Sequence, residues 1–324
     1  MPSLLEQLKQ HSVVVADTGD LAAIKSFQPQ DATTNPSIVL KALQAGQYQE
    51  QLDAALHWAL ANNHLPGGVL ANACDRLVVS MGVAILEQIP GRVSSEVPAA
   101  LSFDTRATLE RARSLYRQYL ELGVPGERVL VKIAATWEGI QAARQLEREG
   151  IHCNLTLIFN LAQARACAEA GVYLVSPFVG RILDWHRRQS PDSGFAALRD
   201  PGVISVRQIY RFFKQHDYPT VVMAASFRNL DQVLALSGCD RLTISPGLLA
   251  ELAATEGTLT PALHDDGKRA VAPDQLREAQ MRWQMNEDAM ATEKLAEGIR
   301  QFHADQLKLE ALLAERLQSL RRAG

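Results

Sequence analysis

Short apolar runs of four to six residues recur along the chain, and a longer stretch with helical periodicity follows most of them. Short runs bounded by turn residues predict buried strands, whereas apolar positions three or four residues apart predict helices. Eight strands are predicted, at His11–Ala16, Asp31–Thr34, Arg92–Val97, Arg128–Ala134, Cys153–Ile158, Val172–Pro177, Thr220–Ala225 and Arg241–Ser245. Helices are predicted between them at Thr105–Leu122, Glu138–Glu149, Leu161–Ala170, Val203–His216 and Asn229–Leu236. Strands that alternate with helices pair in parallel, and eight such strands close a barrel.

Further helical stretches lie outside this alternation. Two of them, at residues 37–62 and 69–88, separate the second and third strands, and a charged helical tail begins at about Gln275. The apolar positions of the tail predict a helix packed over the barrel or against a second copy, in preference to a coiled coil. We therefore predict one α/β domain over residues 1–324, a single (β/α)8 TIM barrel with extra N-terminal and C-terminal helices and an extension at about 275–324.

Composition narrows the class of protein without identifying a function. The 324 residues are 47% hydrophobic and 21% charged, with a net charge of -3, as in ordinary globular proteins. No basic stripe indicates a nucleic-acid or anionic-membrane partner, and the longest apolar stretch, Leu77–Leu86, is about half of a membrane span. The first residues lack the apolar core of a signal peptide, and the cysteines are scattered. We therefore expect a cytoplasmic protein without a nucleic-acid or membrane partner.

Polar side chains cluster at the carboxyl ends of seven of the eight predicted strands, where the active site of such a barrel forms. They are Asp17, Thr33, Asn35, Glu96, Lys132, Asn154, Thr156, Ser176 and Ser226. Side chains alternate across a strand, so Asn154 and Thr156 are predicted to point the same way. The same spacing relates Ser226 to Arg228.

Lys132 is the most informative of these residues, because it stands inside the apolar run VLVKIA. Strand propensity and the cost of burial both disfavour lysine there, and it is one of eight lysines in the chain. Desolvation lowers the pKa of a lysine and leaves a free amine that can attack a carbonyl, which predicts a Schiff-base nucleophile. The structural alternative is a lysine at a strand edge, or one that pairs with Glu96.

Two carboxylates near such an amine can divide proton transfer between them according to their environments. Asp17 and Glu96 are the candidates, and Lys132 is a possible partner for either one. Asp17 precedes the turn Thr18–Asp20, so a purely structural role as a helix cap or Asx turn stays open.

Arg181 and Arg228 follow successive strands and could converge on a phosphate dianion. A surface ion pair is the alternative for each, and the usual barrel phosphate site follows strands seven and eight, whereas these arginines follow six and seven. The histidines lack HxxxH or HxxE spacing, and GxGxxG, GxxxxGK[ST] and GxSxG motifs are missing from the sequence. We therefore expect no metal site and no nucleotide cofactor.

Seven segments of the chain, in order, resemble the transaldolase family in its long bacterial form. They are VVADTGD (Val14–Asp20), DATTNPS (Asp31–Ser37), GRVSSEV (Gly91–Val97), VKIAATWEG (Val131–Gly139), CNLTLIF (Cys153–Phe159), SPFVGRILDW (Ser176–Trp185) and SFRN (Ser226–Asn229). The resemblance implies a homodimeric barrel of the pentose phosphate pathway that uses neither metal nor organic cofactor. Such an enzyme transfers a dihydroxyacetone unit from sedoheptulose 7-phosphate or fructose 6-phosphate to glyceraldehyde 3-phosphate or erythrose 4-phosphate.

The resemblance also implies a role for each site residue. Lys132 forms the Schiff base with the ketose C2 carbonyl, Asp17 removes the C4 hydroxyl proton, and Glu96 moves protons through a water held by Thr156. Substrate hydroxyls and phosphate are bound by Thr33, Asn35, Asn154, Ser176, Arg181, Ser226 and Arg228, and Phe178 lines the mouth. The chain departs from many relatives at Pro98, Ala135 and Ala224.

Two alternatives remain open at the level of sequence. The first is a fructose 6-phosphate aldolase that releases free dihydroxyacetone, although those relatives are shorter and tend to carry Gln and Tyr where this chain has Glu96 and Phe178. The second is a catalytically silent barrel that binds sugar phosphates, and the presence of Lys132, Asp17 and Glu96 argues against it. Dependence of the reaction on an acceptor separates transaldolase from aldolase.

Overall fold

Eight parallel strands form a closed barrel in which each strand pairs with its neighbours in the sequence and β1 pairs with β8. The computed structural model describes residues 2–190 and 194–323, so both ends of the predicted domain, Met1 and Gly324, lie outside it. The strands are β1 Val13–Asp17, β2 Asp31–Thr33, β3 Val93–Glu96, β4 Val129–Ala134, β5 Cys153–Ile158, β6 Leu174–Pro177, β7 Val221–Ala224 and β8 Arg241–Ile244. All eight predicted strands are confirmed, with ends that differ by up to two residues.

Helices surround the barrel and extend beyond it at both ends of the chain. They are α1 Leu4–His11, α2 Leu21–Phe27, α3 Pro36–Gln44, α4 Gln49–Ala61, α5 Gly68–Leu86, α6 Thr105–Glu121, α7 Trp137–Arg148, α8 Leu161–Glu169, α9 Gly180–Gln189, α10 Pro201–Gln215, α11 Leu230–Leu234, α12 Pro246–Ala254, α13 Glu278–Glu287 and α14 Ala289–Ala323. The TIM barrel with additional terminal helices is therefore confirmed.

The first predicted strand is wrong at its start, because His11 is the last residue of helix α1. Ser3 and Glu6 form a reciprocal capping box that satisfies backbone N–H groups at the start of this helix. Leu4, Leu5 and Leu8 are buried on one face, which holds the helix against the barrel. Strand β1 therefore begins only at Val13, after a single extended residue.

The long terminal helix α14 covers the barrel, as one of the two predictions for the tail states. Its first half packs Ala291, Ile299 and Phe302 against residues at the carboxyl ends of β5 and β6. Its second half packs Leu309, Leu313 and Leu317 against α4 and α5. One apolar face thus serves two clusters and brings a residue far along the chain to the mouth of the barrel.

Helix α5 is long and apolar enough to cross a membrane by length and composition alone. In the structure more than half of this apolar helix is buried within the protein. The helix packs against α4, β3 and α6. It also carries Asp75, which forms a buried ion pair with Arg111 of α6 at 2.8 Å. These contacts are those of a core helix in a packed fold.

Candidate active site

A cavity of about 190 Å³ lies at the carboxyl end of the barrel, where the sequence predicts the site. Ten of the twelve predicted residues line it: Asp17, Thr33, Asn35, Lys132, Thr156, Ser176, Phe178, Arg181, Ser226 and Arg228. The other two, Glu96 and Asn154, are buried and are bonded to the lining residues Lys132 and Ser176, respectively. Six residues that were not predicted complete it: Met223, Ala225, Phe227, Thr243, Ser245 and Phe302.

Lys132 and Glu96 form a buried ion pair inside the barrel. They stand opposite each other in the parallel pairing of β3 with β4, and Lys132 Nζ lies 3.1 Å from Glu96 Oε2. The amine also donates a hydrogen bond to the backbone carbonyl of Thr34 at 3.2 Å. Burial raises the pKa of Glu96, while the positive charges of Lys132 and Arg181 act in the opposite direction. The site therefore holds an amine beside a carboxyl group that accepts a proton more readily than an exposed one.

Asp17 ends β1 and faces the same cavity. Its Oδ1 accepts a hydrogen bond from Thr33 Oγ1 at 2.9 Å, and the Thr33 hydroxyl also contacts that of Thr243 at 2.8 Å. Burial raises the pKa of Asp17, which Lys132 and the Thr33 hydrogen bond lower in part. The cap of the following helix is Asp20, which accepts from the backbone N–H of Ala22 at 3.0 Å. The capping role considered for Asp17 therefore belongs to Asp20.

Asn154 joins a chain of buried hydrogen bonds across three strands. Its Nδ2 donates to Ser94 Oγ at 3.1 Å, and its Oδ1 accepts from Ser176 Oγ at 2.6 Å. Thr156 is buried on the same strand, and its Oγ1 has no hydrogen-bond partner among the described residues. Since a buried hydroxyl without a partner is costly, this oxygen is suited to bind a water or substrate atom.

Asn35 holds the start of helix α3 as well as lining the cavity. Its Oδ1 caps the helix by accepting from the backbone N–H of Ile38 at 3.0 Å, and Pro36 occupies the first helical position. The cap occupies the oxygen of the side-chain amide and fixes its orientation. The amide Nδ2 is the group that can donate to a substrate hydroxyl.

The two predicted arginines meet at the rim of the cavity, but their partners differ. Arg228 binds the carboxylate of Asp184 through Nη2 at 2.8 Å and Nε at 3.1 Å. The Arg181 guanidinium instead lies over the rings of Phe178 and Phe302, with its Cζ 5.0 and 5.3 Å from their centroids. Burial, followed by the charge of Arg228, lowers the pKa of Arg181. Two cations that repel each other across a partly buried space favour an anion between them.

Ser226 and Arg228 meet for a reason that differs from the predicted alternation along a strand. Strand β7 ends at Ala224, and Ser226 adopts a left-handed conformation with φ of 61°. This turn allows Arg228 Nη1 to donate to Ser226 Oγ at 3.3 Å. Gly180 permits the close approach of the facing loop, since a Cβ there would lie 2.3 Å from the Ser226 carbonyl oxygen.

The comparisons with known proteins agree with this geometry. A family described as Transaldolase/Fructose-6-phosphate aldolase matches residues 14–313. Transaldolase B of Pasteurella multocida (strain Pm70) is 56% identical over 313 residues, which cover 97% of this chain and 99% of the relative. The Transaldolase of Alteromonas mediterranea is 54% identical over 319 residues, which cover 98% of this chain and the whole of the relative. The chain belongs to the transaldolase/fructose-6-phosphate aldolase family.

The residues at which this chain departs from many transaldolases lie outside the cavity lining. Ala135 and Ala224 are fully buried in the core cluster between the barrel and its helices. Pro98 lines a separate groove beside helix α6. None of the three therefore changes the walls of the cavity directly.

Phe302 is the cavity residue that is hardest to predict from the sequence. It occupies an apolar position of the tail, where the periodicity predicts burial but not what the ring contacts. Thr243, in turn, lies near the end of β8 and Ser245 directly follows it; the eighth strand is the one to which no polar site residue was assigned. The described residues contain no group of three His, Cys, Asp or Glu side chains arranged to hold a metal ion.

Proposed function

We propose that the protein is a transaldolase, which transfers a dihydroxyacetone unit from a ketose phosphate to an aldose phosphate through a Schiff base on Lys132. The observation that carries this proposal is the buried pair of Lys132 and Glu96, 3.1 Å apart, beside a cavity that Asp17 also lines. An enclosed amine with two carboxyl groups supplies a nucleophile and proton-transfer groups together. Membership of the family and full-length relatives named Transaldolase support the same reaction.

The first step forms the Schiff base. The Lys132 amine attacks the ketose C2 carbonyl, and the carbinolamine then loses its hydroxyl group as water. Attack requires the amine to give up a proton, and the raised pKa of Glu96 makes this carboxyl group a suitable acceptor. Glu96 returns the proton to the departing hydroxyl through a water molecule held by Thr156. Among the described residues Thr156 Oγ1 is buried without a hydrogen-bond partner, which supports this position for the water.

The second step breaks the bond between C3 and C4. Asp17 takes the proton of the C4 hydroxyl, and the electron pair of the broken bond moves into the protonated imine. This leaves an enamine on Lys132 and releases the shortened aldose. Because burial raises the pKa of Asp17, the same group can return its proton to the carbonyl oxygen of the acceptor when the new bond forms.

The remaining residues hold the substrate in this geometry. Asn35 donates its free amide hydrogens, and the linked side chains of Asn154 and Ser176 bind hydroxyl groups of the sugar, while Thr33 fixes Asp17. Ser226, Arg228 and Arg181 bind the phosphate. Donors are sedoheptulose 7-phosphate and fructose 6-phosphate, and acceptors are glyceraldehyde 3-phosphate and erythrose 4-phosphate.

The enamine must be protected from water until the acceptor arrives, because protonation would release free dihydroxyacetone. Phe178 and Phe302 provide apolar walls at the cavity. Such walls exclude solvent from a reactive intermediate. They support transfer over the aldolase reaction, and the exposure of both Lys132 and Asp17 to the cavity supports catalysis over a silent binding protein.

We also propose that residues 1–324 form one domain, that the protein is a cytoplasmic homodimer, and that it acts in the pentose phosphate pathway. These proposals rest on the resemblance to the family. Sedimentation equilibrium of the purified protein checks the dimer, for which we expect twice the chain mass of 35.6 kDa.

The decisive experiment traps the covalent intermediate. The protein is mixed with fructose 6-phosphate, reduced with borohydride and mapped by peptide mass spectrometry, while a parallel assay adds erythrose 4-phosphate. We expect a reduced three-carbon adduct on Lys132, and sedoheptulose 7-phosphate only when the acceptor is present. Free dihydroxyacetone without acceptor would indicate an aldolase instead, and a folded protein without an adduct would exclude Lys132 as the nucleophile.

A further inference from the structure

The terminal helix α14 contributes one residue, Phe302, to the cavity lining. Phe302 of α14 is 1% exposed, and its ring centroid lies 5.7 Å from Lys132 Nζ and 5.3 Å from Arg181 Cζ. The ring centroid of Phe178 lies 5.0 Å from Arg181 Cζ, and this ring contacts Phe159 edge-to-face at 5.6 Å. The Arg181 guanidinium therefore lies close to two aromatic rings, one from the barrel and one from α14.

This arrangement differs from the usual way in which a protein orients an arginine. Arg228 is oriented by the Asp184 carboxylate, which also offsets its charge. Within residues 2–190 and 194–323, Arg181 has no carboxylate within salt-bridge distance and no side-chain hydrogen bond. Aromatic faces attract a guanidinium while leaving its N–H groups and its full charge for another partner. An arginine that must bind a phosphate dianion gains from such support, because no internal carboxylate has to be displaced.

Close packing of α14 against the barrel sets the position of the Phe302 ring. Gly298 lies one turn before Phe302, and a Cβ at that position would lie 2.7 Å from Leu157 Cδ2 and 3.3 Å from Arg181 Nη1. The helix therefore approaches the end of β5 and the arginine more closely than a larger residue would allow. Ala291 and Ile299, on the same face, are buried with Phe302 in one cluster.

We propose that Phe302 is a positioning residue, which together with Phe178 holds Arg181 in the orientation that binds the phosphate of the substrate. This inference rests on the proposed function and deepens it, since it makes the terminal helix part of phosphate recognition. It assigns to α14 a role in specificity for phosphorylated sugars, in addition to covering the barrel.

The test compares kcat with KM in variants of the full-length protein. Phe302→Leu keeps an apolar side chain but removes the aromatic face, so we expect KM for fructose 6-phosphate to rise about tenfold. We expect kcat to stay within about twofold, because Lys132, Asp17 and Glu96 are unchanged. Inhibition by inorganic phosphate should weaken in parallel with the rise in KM. Phe302→Tyr keeps the ring and should retain the KM of the unchanged protein.

Two further variants separate positioning from stability. Leu309→Ala removes a fully buried side chain from the same helix at a distance from the cavity. It should lower the melting temperature without changing KM. Arg181→Gln should raise KM on its own, and adding Phe302→Leu to it should produce little further increase, because the two residues act through one interaction.

The outcomes distinguish a failure of the role of Phe302 from a failure of the proposed transaldolase reaction. A KM unchanged in Phe302→Leu, or effects of Phe302→Leu and Arg181→Gln that multiply independently, would overturn the role of Phe302 and leave the transaldolase reaction intact. Failure of the unchanged protein to form sedoheptulose 7-phosphate would instead overturn the proposed function itself.

Discussion

The barrel buries charged side chains at both of its ends, and the two ends use them differently. At the carboxyl end, Lys132 and Glu96 lie 3.1 Å apart beside a cavity of about 190 Å³. At the amino end, Asp31 at the start of β2 pairs with Arg241 at the start of β8. An apolar layer lies inside the barrel between them, formed by Val15, Leu130, Leu174 and Met223.

The difference lies in what surrounds each pair. Asp31 Oδ1 also accepts from the backbone N–H of Arg92 at 2.8 Å, and Arg241 Nη2 donates to the Tyr173 hydroxyl at 3.0 Å. At the carboxyl end, the Thr156 hydroxyl has no partner among the described residues, and burial raises the pKa of both carboxyl groups. The amino-end pair is tied to backbone and side-chain groups of the fold, whereas the carboxyl end places carboxyl groups of raised pKa and this hydroxyl beside a cavity, where a substrate can reach them.

Lys132→Met gives the largest effect and separates activity from stability. Without the amine no Schiff base forms, and we expect turnover to fall by at least about a thousandfold. The fold should remain, because Glu96 can take up a proton when its positive partner is lost. Steady-state assays and circular dichroism check the two parts, and substantial remaining turnover would remove Lys132 from the mechanism.

Arg241→Met should show the opposite pattern at the other end of the barrel. Removal of the arginine leaves Asp31 buried and unpaired, which should lower the free energy of unfolding by about 3–5 kcal/mol. The kcat of the folded fraction should change little, since the apolar layer separates this pair from the cavity. Urea unfolding measures the loss.

A matched double variant tests the cause of that loss. Adding Asp31→Asn to Arg241→Met removes the uncompensated charge, so part of the lost stability should return. If the double variant is less stable than Arg241→Met alone, the loss of stability does not come from the unpaired charge of Asp31.

Thr156→Val tests the available hydroxyl at the carboxyl end. Under the proposed mechanism Thr156 holds the water that relays protons, so losing its hydroxyl should slow Schiff-base formation by about tenfold, within the range for proton-transfer groups. Stability should not fall, because within residues 2–190 and 194–323 this buried hydroxyl has no hydrogen-bond partner to lose. Rapid-mixing measurements of imine formation would contradict this role if the rate in the variant were unchanged.

Thr33→Val produces the smallest effect, a shift in the pH dependence. Since burial raises the pKa of Asp17 above 3.8, activity should decline on acidification at a higher pH than for an exposed aspartate. Loss of the Thr33 hydrogen bond, which favours the ionised form, raises this pKa further. The acid limb of kcat/KM should therefore move to higher pH by less than about one unit. A shift to lower pH would contradict the conclusion that the Thr33 hydrogen bond favours the ionised form of Asp17.

Much of the candidate site could be predicted because strand ends have a defined meaning in this fold. A lysine in the apolar run VLVKIA is evident without a structure, and so are polar residues two apart on one strand. The hydrogen-bond and ion-pair partners of these residues are harder to predict from the sequence. Sequence alone left Asp17 open as a cap, for example, and the structure assigns that role to Asp20, three residues later.

Local periodicity and residue type are enough to predict the eight strands, most of the helices between them and the polar side chains at the strand ends. The three-dimensional arrangement alone shows that Glu96 pairs with Lys132, that Asp184 pairs with Arg228, and that the Phe302 ring lies close to both Lys132 and Arg181. These contacts join residues far apart in the chain. They depend on closure of the barrel and on docking of α14 across its mouth, which no local pattern records.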